Sequence, residues 1–391
     1  LERFKEFFEL PGDVNDKKRE ERIKARIAAL RNEKEKESRG NGKSRSLEEE
    51  QEANETAAVR CIGLTIETRP DWGYKEQGLE FLRLGVTRVE LGVQTVYDEV
   101  LQKVNRGHDV EASIKSMAEL RDLGFKVNIH MMLGLPRHDG KRLSRAEELS
   151  SLKKIFEDPA FRPDMLKIYP CLVMPGTGLE ELYKKGVFAP IATEEAAEII
   201  VEVKRFIPEY CRIMRIQRDI PTHATTAGVD RTNLRQYVAA LAKREGVVCR
   251  CIRCREVGRR RIVKEPRLVV REYEASNGRE FFMSMEACDR VLGFLRMRFP
   301  NRLLHPAITE ESALIRELHV YGQAVAVGES DASGTQHRGL GKKLMDASES
   351  TARMHGKKKM VVISGVGARE YYRRQGYVRE GPYMVKVLVS G

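Results

Sequence analysis

Three cysteines crowd into six positions of this chain, Cys249-Arg-Cys251-Ile-Arg-Cys254. Three soft ligands on one short loop suit tetrahedral zinc, with a fourth ligand from elsewhere; Cys288 and His223 are both candidates. A second chemistry is written at Gln336-His337-Arg338-Gly339-Leu340-Gly341, a glycine-rich turn that opens a helical pattern. Bare N–H groups at a helix N-terminus attract anions, and glycines let a pyrophosphate come close to the backbone. Downstream, Tyr371 and Tyr372 offer two phenols. A third group of polar residues (Glu67, Thr68, Arg69, Gln94, His130, Tyr169, Gln217 and Arg218) falls at the carboxyl ends of strand-like runs. In a parallel barrel that rim is where ligands bind. Arg255, Arg259, Arg260 and Arg261 directly follow the cysteines. They read either as a path for an RNA backbone or as a solvated face.

The elements that must position these groups alternate. Strand patterns at Cys61–Ile66, Arg88–Gln94, Lys126–Leu133, Leu166–Tyr169 and Cys211–Ile216 are separated by helical patterns at 77–84, 110–123, 144–156 and 194–206. That alternation predicts a parallel sheet with helical crossovers. After the cysteines, strand patterns at 267–273, 281–285 and 290–297 come with an Asn277-Gly278 turn signal. Leu314–Tyr321 alternates like a strand, with Leu314, Arg316, Leu318 and Val320 on one face and Glu317 and His319 on the other. Leu340, Leu344, Ala347, Thr351 and Met354 mark one face of a helix, and Met360–Ile363 a short buried strand. Ahead of all this, residues 13–59 are dominated by charge, with a helical stretch over 16–36 broken at Gly40-Asn-Gly42 and a capping-box spacing at Ser46 and Glu49.

The order strand, glycine-rich turn, helix, strand, tyrosine pair resembles the acetyl-CoA-binding core of GNAT-type acetyltransferases. The wording Arg316-Glu-Leu-His-Val-Tyr-Gly322 and Ser364-Gly-Val-Gly-Ala-Arg-Glu-Tyr-Tyr372 is similar to the Elongator catalytic-subunit family. The earlier region resembles a radical S-adenosylmethionine barrel of the same family. It does so through Gly63–Asp71, Glu90–Tyr97, Asn105–His108, Phe161-Arg-Pro-Asp164, Gly176-Thr-Gly178 and Arg215–Pro221. The resemblance covers about residues 60–391 and implies an α/β chain. A charged N-terminal segment occupies 1–59 and a partial parallel (β/α) barrel of radical-SAM type 60–246. A Cys-rich zinc-binding linker spans 247–262, and a GNAT-type acetyltransferase α/β domain 263–391.

The resemblance implies tRNA wobble-uridine modification: acetyl-CoA-dependent 5-carboxymethylation with tRNA-stimulated cleavage of acetyl-CoA. A protein lysine acetyltransferase is the alternative. By position, the backbone of Leu318, His319 and Val320 pairs with the pantetheine arm, and Gln336 to Gly341 holds the pyrophosphate. Tyr372, ahead of Tyr371, bonds the coenzyme sulfur or acetyl oxygen, and Glu317 or His319 positions water. Glu67, Arg69, Gln94 and His130 hold S-adenosylmethionine. The family's 4Fe-4S cluster needs three closely spaced thiolates early in the barrel, and no such triad precedes Cys249. Cys61, Cys171 and Cys211 lie far apart in apolar contexts and read as buried small hydrophobes. The chain opens on Leu1, so a truncated or processed start is expected, with the cluster confined to the full-length parent.

Composition agrees with an anionic partner. Lysine plus arginine is 70 against 58 acids, a formal +12 over 391 residues. The expected partner is the anticodon loop of tRNA, alongside a homo-oligomer or Elongator-type subunits. No run of eighteen apolar residues and no signal peptide is present, and seven cysteines without a framework suit a reducing compartment. A cytoplasmic enzyme is expected.

Overall fold

The computed structural model describes residues 17–40, 45–217, 220, 224–231, 233–258, 264–321 and 339–388. The chain divides between Ala53 and Asn54. The first unit holds helix α1 (Lys17–Gly40) and most of α2 (Leu47–Thr56). Their sequences are rich in charge, and α1 carries only a short apolar stripe at Ile23, Ile27 and Leu30. The capping box forms: the Ser46 N–H donates to Glu49 Oε2 at 2.7 Å, and the Glu49 N–H to Ser46 Oγ at 3.2 Å.

The second unit begins with a parallel α/β layer. Its chain order is β1 (Leu64–Thr68), α3 (Lys75–Arg83), β2 (Val86–Gln94), α4 (Asp98–Lys103), α5 (Val110–Asp122) and β3 (Lys126–Leu133). There follow α6 (Arg145–Glu157), β4 (Met165–Pro170), α7 (Gly178–Lys184), α8 (Thr193–Val203), β5 (Arg212–Arg215) and α9 (Leu234–Arg244). The five strands lie in the order β1-β2-β3-β4-β5, all parallel. Strands β2 to β4 are apolar runs covered on both faces, as parallel strands must be. Strand β1 departs from its sequence reading. It starts three residues later than Cys61, is mostly exposed and forms the sheet edge, so Cys61 is an exposed thiol rather than a buried one. Cys171 and Cys211 are buried as expected.

A short helix α10 (Ile252–Arg255) carries the cysteine loop into a seven-stranded sheet. Its elements are β6 (Arg267–Ala275), β7 (Gly278–Ala287), β8 (Arg290–Phe299), β9 (Ser312–Val320), α11 (Leu340–Met354), β10 (Lys359–Ile363), α12 (Arg369–Arg373), β11 (Val378–Glu380) and β12 (Tyr383–Val387). The order is β11-β12-β10-β9-β8-β7-β6, and only β9 and β10 pair in parallel. The β6–β7 hairpin turns at Ser276 (φ 47°) and Asn277 (φ 59°), the doubly positive conformation that matches strand twist.

Two cores explain how the layers stack. Met283, Leu295, Ile315, Leu344, Met360 and Tyr372 form one, under α11. On the opposite face Phe282, Phe294, Leu314, Val361, Ile363 and Tyr383 join the apolar interior of the parallel layer. The base of the parallel sheet therefore covers one face of the second sheet. The buried face of α11 is Leu340, Leu344, Met345, Ser348 and Ala352; Met354, expected inside, is 75 % exposed.

Candidate active site and metal centre

Strand β9 carries the first cluster of functional groups, and a bulge decides which way they point. Opposite β8, Glu317 pairs with Arg296 and Ile315 with Met297, leaving Arg316 as the extra residue. A bulge of this kind inverts the alternation beyond it. Leu314 and Arg316 therefore share the barrel-facing side with Glu317 and His319, whereas Leu318 and Val320 pack against the α11 core. The simple two-residue alternation placed Arg316 with Leu318 and Val320; the inserted residue overturns it. At the same point β9 parts from its parallel neighbour. Pairing with β10 ends at Ile315 and Val362, so among the described residues the backbone of Leu318, His319 and Val320 has no strand partner on that side. An extended ligand arm fits such an edge as an added strand.

The glycine turn faces this opening. Gly339 stands before α11 at φ 64°, a conformation that glycine adopts without strain. A Cβ at Gly341 would lie 2.6 Å from the Tyr371 hydroxyl, so that phenol rests directly on the turn. Tyr371 is half exposed, and burial raises its pKa, keeping it a proton donor. Tyr372 is 7 % exposed, and its ring packs edge-on to Tyr371 and Tyr377. Gln336, His337 and Arg338 lie outside the described residues.

Below β9, His319 stacks on Phe294 and lies 4.4 Å, ring to ring, from Tyr321. Desolvation by its neighbours lowers its pKa, against the opposing pull of Glu317, although the residue remains exposed. Arg296 Nε donates to Glu317 at 2.9 Å. Tyr321 bonds to Arg212, which also donates to Glu256 at 2.7 Å. Residues 212, 256 and 321 come from the barrel, the cysteine linker and the acetyltransferase sheet. Only Tyr321 lay in a recognised motif, and nothing local in the sequence joins the three.

The barrel interior holds the second cluster. His130 Nε2 is 2.9 Å from Glu90 and its Nδ1 is 3.5 Å from Glu67. Lys167 pairs with Glu90. Burial would raise the Glu90 carboxyl, but His130 and Lys167 outweigh it and hold it near 2. Three donor residues (Glu67, Glu90, His130) could face a cation, yet the Lys167 ammonium already neutralises Glu90. Arg69 is forked onto Asp71 at 3.0 and 2.5 Å, and Gln94 is buried with φ 71°. The sequence reading thus brings Glu67 and His130 together but missed Glu90 and Lys167. The alternation of Lys167 between Leu166 and Ile168 was the available signal. Elsewhere in the parallel layer, Asn105, Leu135, Pro136, Cys171 and Leu179 line an apolar cavity of about 540 Å³, large enough for an aromatic base.

Cys249, Cys251 and Cys254 bring their sulfurs within 4.8 Å of one another. Zinc at about 2.3 Å from each thiolate places sulfurs about 3.8 Å apart, so the site fits that ion. Cys249 and Cys251 lower the Cys254 pKa, and Lys204 Nζ, 3.7 Å from its sulfur, adds to this. Among the described residues Cys288 does not join the group, and His223 lies outside them. Arg255, expected on the surface, is 2 % exposed and pairs with Glu286, so it lies beneath the surface rather than on it. Arg259, Arg260 and Arg261 lie outside the described residues.

A parallel layer with a polar interior, set against a sheet that opens at its bulged parallel strand, defines a radical-SAM-type barrel joined to a GNAT acetyltransferase. The comparisons agree: the Radical SAM superfamily matches residues 12–149, the Radical SAM C-terminal domain 163–244, and the Acetyltransferase (GNAT) domain 332–387. The solved structure of the archaeal Methanocaldococcus infernus Elp3 with an N-terminal deletion superimposes with TM-score 0.82 at 44 % identity, covering 88 % of this chain and 83 % of that one. The chain belongs to the family of Elongator complex protein 3. The tRNA uridine(34) acetyltransferase of Methanocaldococcus jannaschii is 45 % identical over 87 % of the chain. Human Elongator complex protein 3 is 42 % identical over 86 %. The chain spans 64 % and 62 % of those two relatives' lengths.

Proposed function

We propose that this chain serves acetyl-CoA-dependent carboxymethylation at C5 of a tRNA wobble uridine, and that it cleaves acetyl-CoA in response to tRNA. The observation carrying this reading is the placement of β9. The strand that offers its open edge to the coenzyme also presents Glu317 to the barrel interior, where its charge acts on Lys126 at the start of β3. An acyl site that backs onto a barrel suits a nucleobase held inside the barrel. The printed names of the relatives, a tRNA uridine(34) acetyltransferase among them, support RNA over a peptide lysine.

Leu318 to Val320 and the Gly339–Gly341 turn would hold the coenzyme. His319 takes a proton from the water that attacks the thioester carbonyl, and Tyr371 gives one to the departing sulfur. Glu67 and His130 would hold S-adenosylmethionine, which when bound would supply a carbon radical on accepting one electron from a donor outside this chain. Among the described residues Cys171 is the only cysteine lining the apolar cavity, so the residues there do not fit a cluster and no step here depends on one. The three-cysteine loop binds zinc as a structural clip; metal analysis giving no zinc in protein purified without chelator would remove that claim. A cytoplasmic location and Elongator-type partners accompany this reading.

The test is acetyl-CoA turnover with tRNA, without RNA, and with a lysine peptide. Stimulation by tRNA alone is expected. Transfer to the peptide regardless of RNA would reverse the conclusion in favour of a lysine acetyltransferase.

A further inference from the structure

A cavity of about 640 Å³ lies where the cysteine linker meets β6 and β7. It is separate from the coenzyme opening, because that opens between β9 and β10 while β8 stands between β9 and this cavity. Five cations line it: Arg250, Arg255, Lys264, Arg267 and Arg271. Glu286, Asp289 and Glu265 line it too, and Glu209 pairs with Arg250 and Arg271 from behind. The balance is five positive groups against four negative.

Arg250 and Arg271 are engaged by carboxylates, and Arg255 alone of the three keeps N–H groups to spare. Arg271 donates to Glu286 at 2.8 Å and also pairs with Glu209. Arg250 donates to Asp289 at 2.7 Å. Arg255, buried at the floor, spends Nη2 on Glu286, but its Nε and Nη1 have no hydrogen-bond partner among the described residues. Their nearest acids stand at 3.4 Å (Asp289) and 3.7 Å (Glu209). At the mouth, Lys264 and Arg267 are exposed and have no acidic partner among the described residues. A fixed guanidinium with spare N–H groups beneath two exposed cations is the arrangement that takes a phosphate.

We propose that this cavity is a phosphate-binding site that anchors the RNA backbone away from the barrel. The source of the phosphate rests on the RNA reading above; the pocket itself does not. A free nucleotide shares the same chemistry. Phosphate contacts of this kind position a substrate without reading its sequence.

The test uses the full chain and the double variant Lys264→Glu/Arg267→Glu, whose two sites are exposed, with thermal melting to confirm the fold. Binding of an anticodon stem-loop RNA is measured by anisotropy across a salt titration, and binding of AMP by calorimetry with CoA saturating. Each lost phosphate contact flattens the slope of log K against log salt by about 0.7–0.9. The expected result is at least tenfold weaker RNA binding at low salt, a slope flatter by one to two contacts, and loss of AMP binding. Lost AMP with unchanged RNA would reject the RNA source and leave a free-nucleotide site. Both unchanged would reject the pocket. Should the parent bind no RNA at all, the RNA reading fails by itself and the AMP comparison decides the pocket.

Discussion

Glu148 shows what one carboxyl can do when the chain buries it. It sits on α6 at 3 % exposure and accepts the Gly134 N–H at 2.6 Å, just past the end of β3. Burial pushes its pKa up to about 8, against an ordinary 4.5. The folded state therefore keeps a proton that the unfolded state releases. Its contribution is complete below pH 4.5, falls as pH rises, and is gone above about 8. Glu148→Gln keeps the acceptor without the titration, so the parent should lose melting temperature relative to the variant between pH 5 and 9, a span worth a few kcal/mol at most. Parallel melting curves across that range would rule the argument out. The two tyrosines divide in the same way. Tyr371→Phe should lower acetyl-CoA cleavage more than tenfold with an unchanged melting temperature, because only its hydroxyl reaches the turn. Tyr372→Phe should leave turnover near the parent's; equal losses from both would put Tyr372 back into the chemistry. Residue types revealed the tyrosine pair, but not which ring points inward, since that depends on the pitch of α12 against Tyr377.

At the scale of elements, two glycine motifs that look alike prove to differ. A Cβ at Gly365 would lie 2.0 Å from the Ile62 carbonyl oxygen, and the Gly367 N–H donates to the Cys61 carbonyl at 2.8 Å. The turn in Ser364-Gly-Val-Gly367 thus exists to let the segment entering β1 cross it. Gly341 faces the Tyr371 phenol instead. Gly341→Ala should push Tyr371 aside and weaken CoA binding, and adding Tyr371→Phe, which removes the clashing oxygen, should restore the affinity. Calorimetry showing no rescue would mean that the helix N-terminus, not the tyrosine, is what the methyl disturbs. Most elements were legible because their periods are local: β3 runs over Lys126–Leu133 as read from its apolar pattern. The bulge at Arg316 was not, because its cause is the pairing of β9 with β8, which lies well upstream in the chain. The exposure of β1 was hidden for a similar reason. An apolar run reads as buried whether or not a neighbour covers it.

In the second unit as a whole, the two sheets are joined by ions that no water reaches. Arg316 donates to both oxygens of Asp164, at 2.7 and 2.6 Å, to Glu280 at 2.8 Å and to the Phe125 carbonyl at 2.8 Å. Arg298 bridges Asp122 and Glu280 at 2.8 and 2.9 Å, and Arg121 reaches Ser276 at 2.6 Å. Arg316, Arg298, Asp164 and Glu280 are all at most 1 % exposed. Burial would raise Asp164, but Arg316 reverses that and holds it well below the usual carboxylate range. Asp164 closes the Phe161-Arg-Pro-Asp motif, so a stretch matched for its likeness to an enzyme family here serves the seam between sheets. Removing one partner from such a network strands a buried charge, at a cost of about 3–5 kcal/mol; replacing both need not. Asp164→Asn should therefore lower stability severely, and the pair Asp164→Asn/Arg316→Met should recover much of it. Because Arg316 is the bulge residue of β9, the single variant should also weaken CoA binding, and the double variant only in part. Denaturant unfolding followed by tyrosine fluorescence and by far-ultraviolet dichroism should give one coincident transition in the parent. Two separate transitions, or strictly additive losses in the double-mutant cycle, would show that the barrel and the acetyltransferase sheet fold independently and that this seam does not couple them.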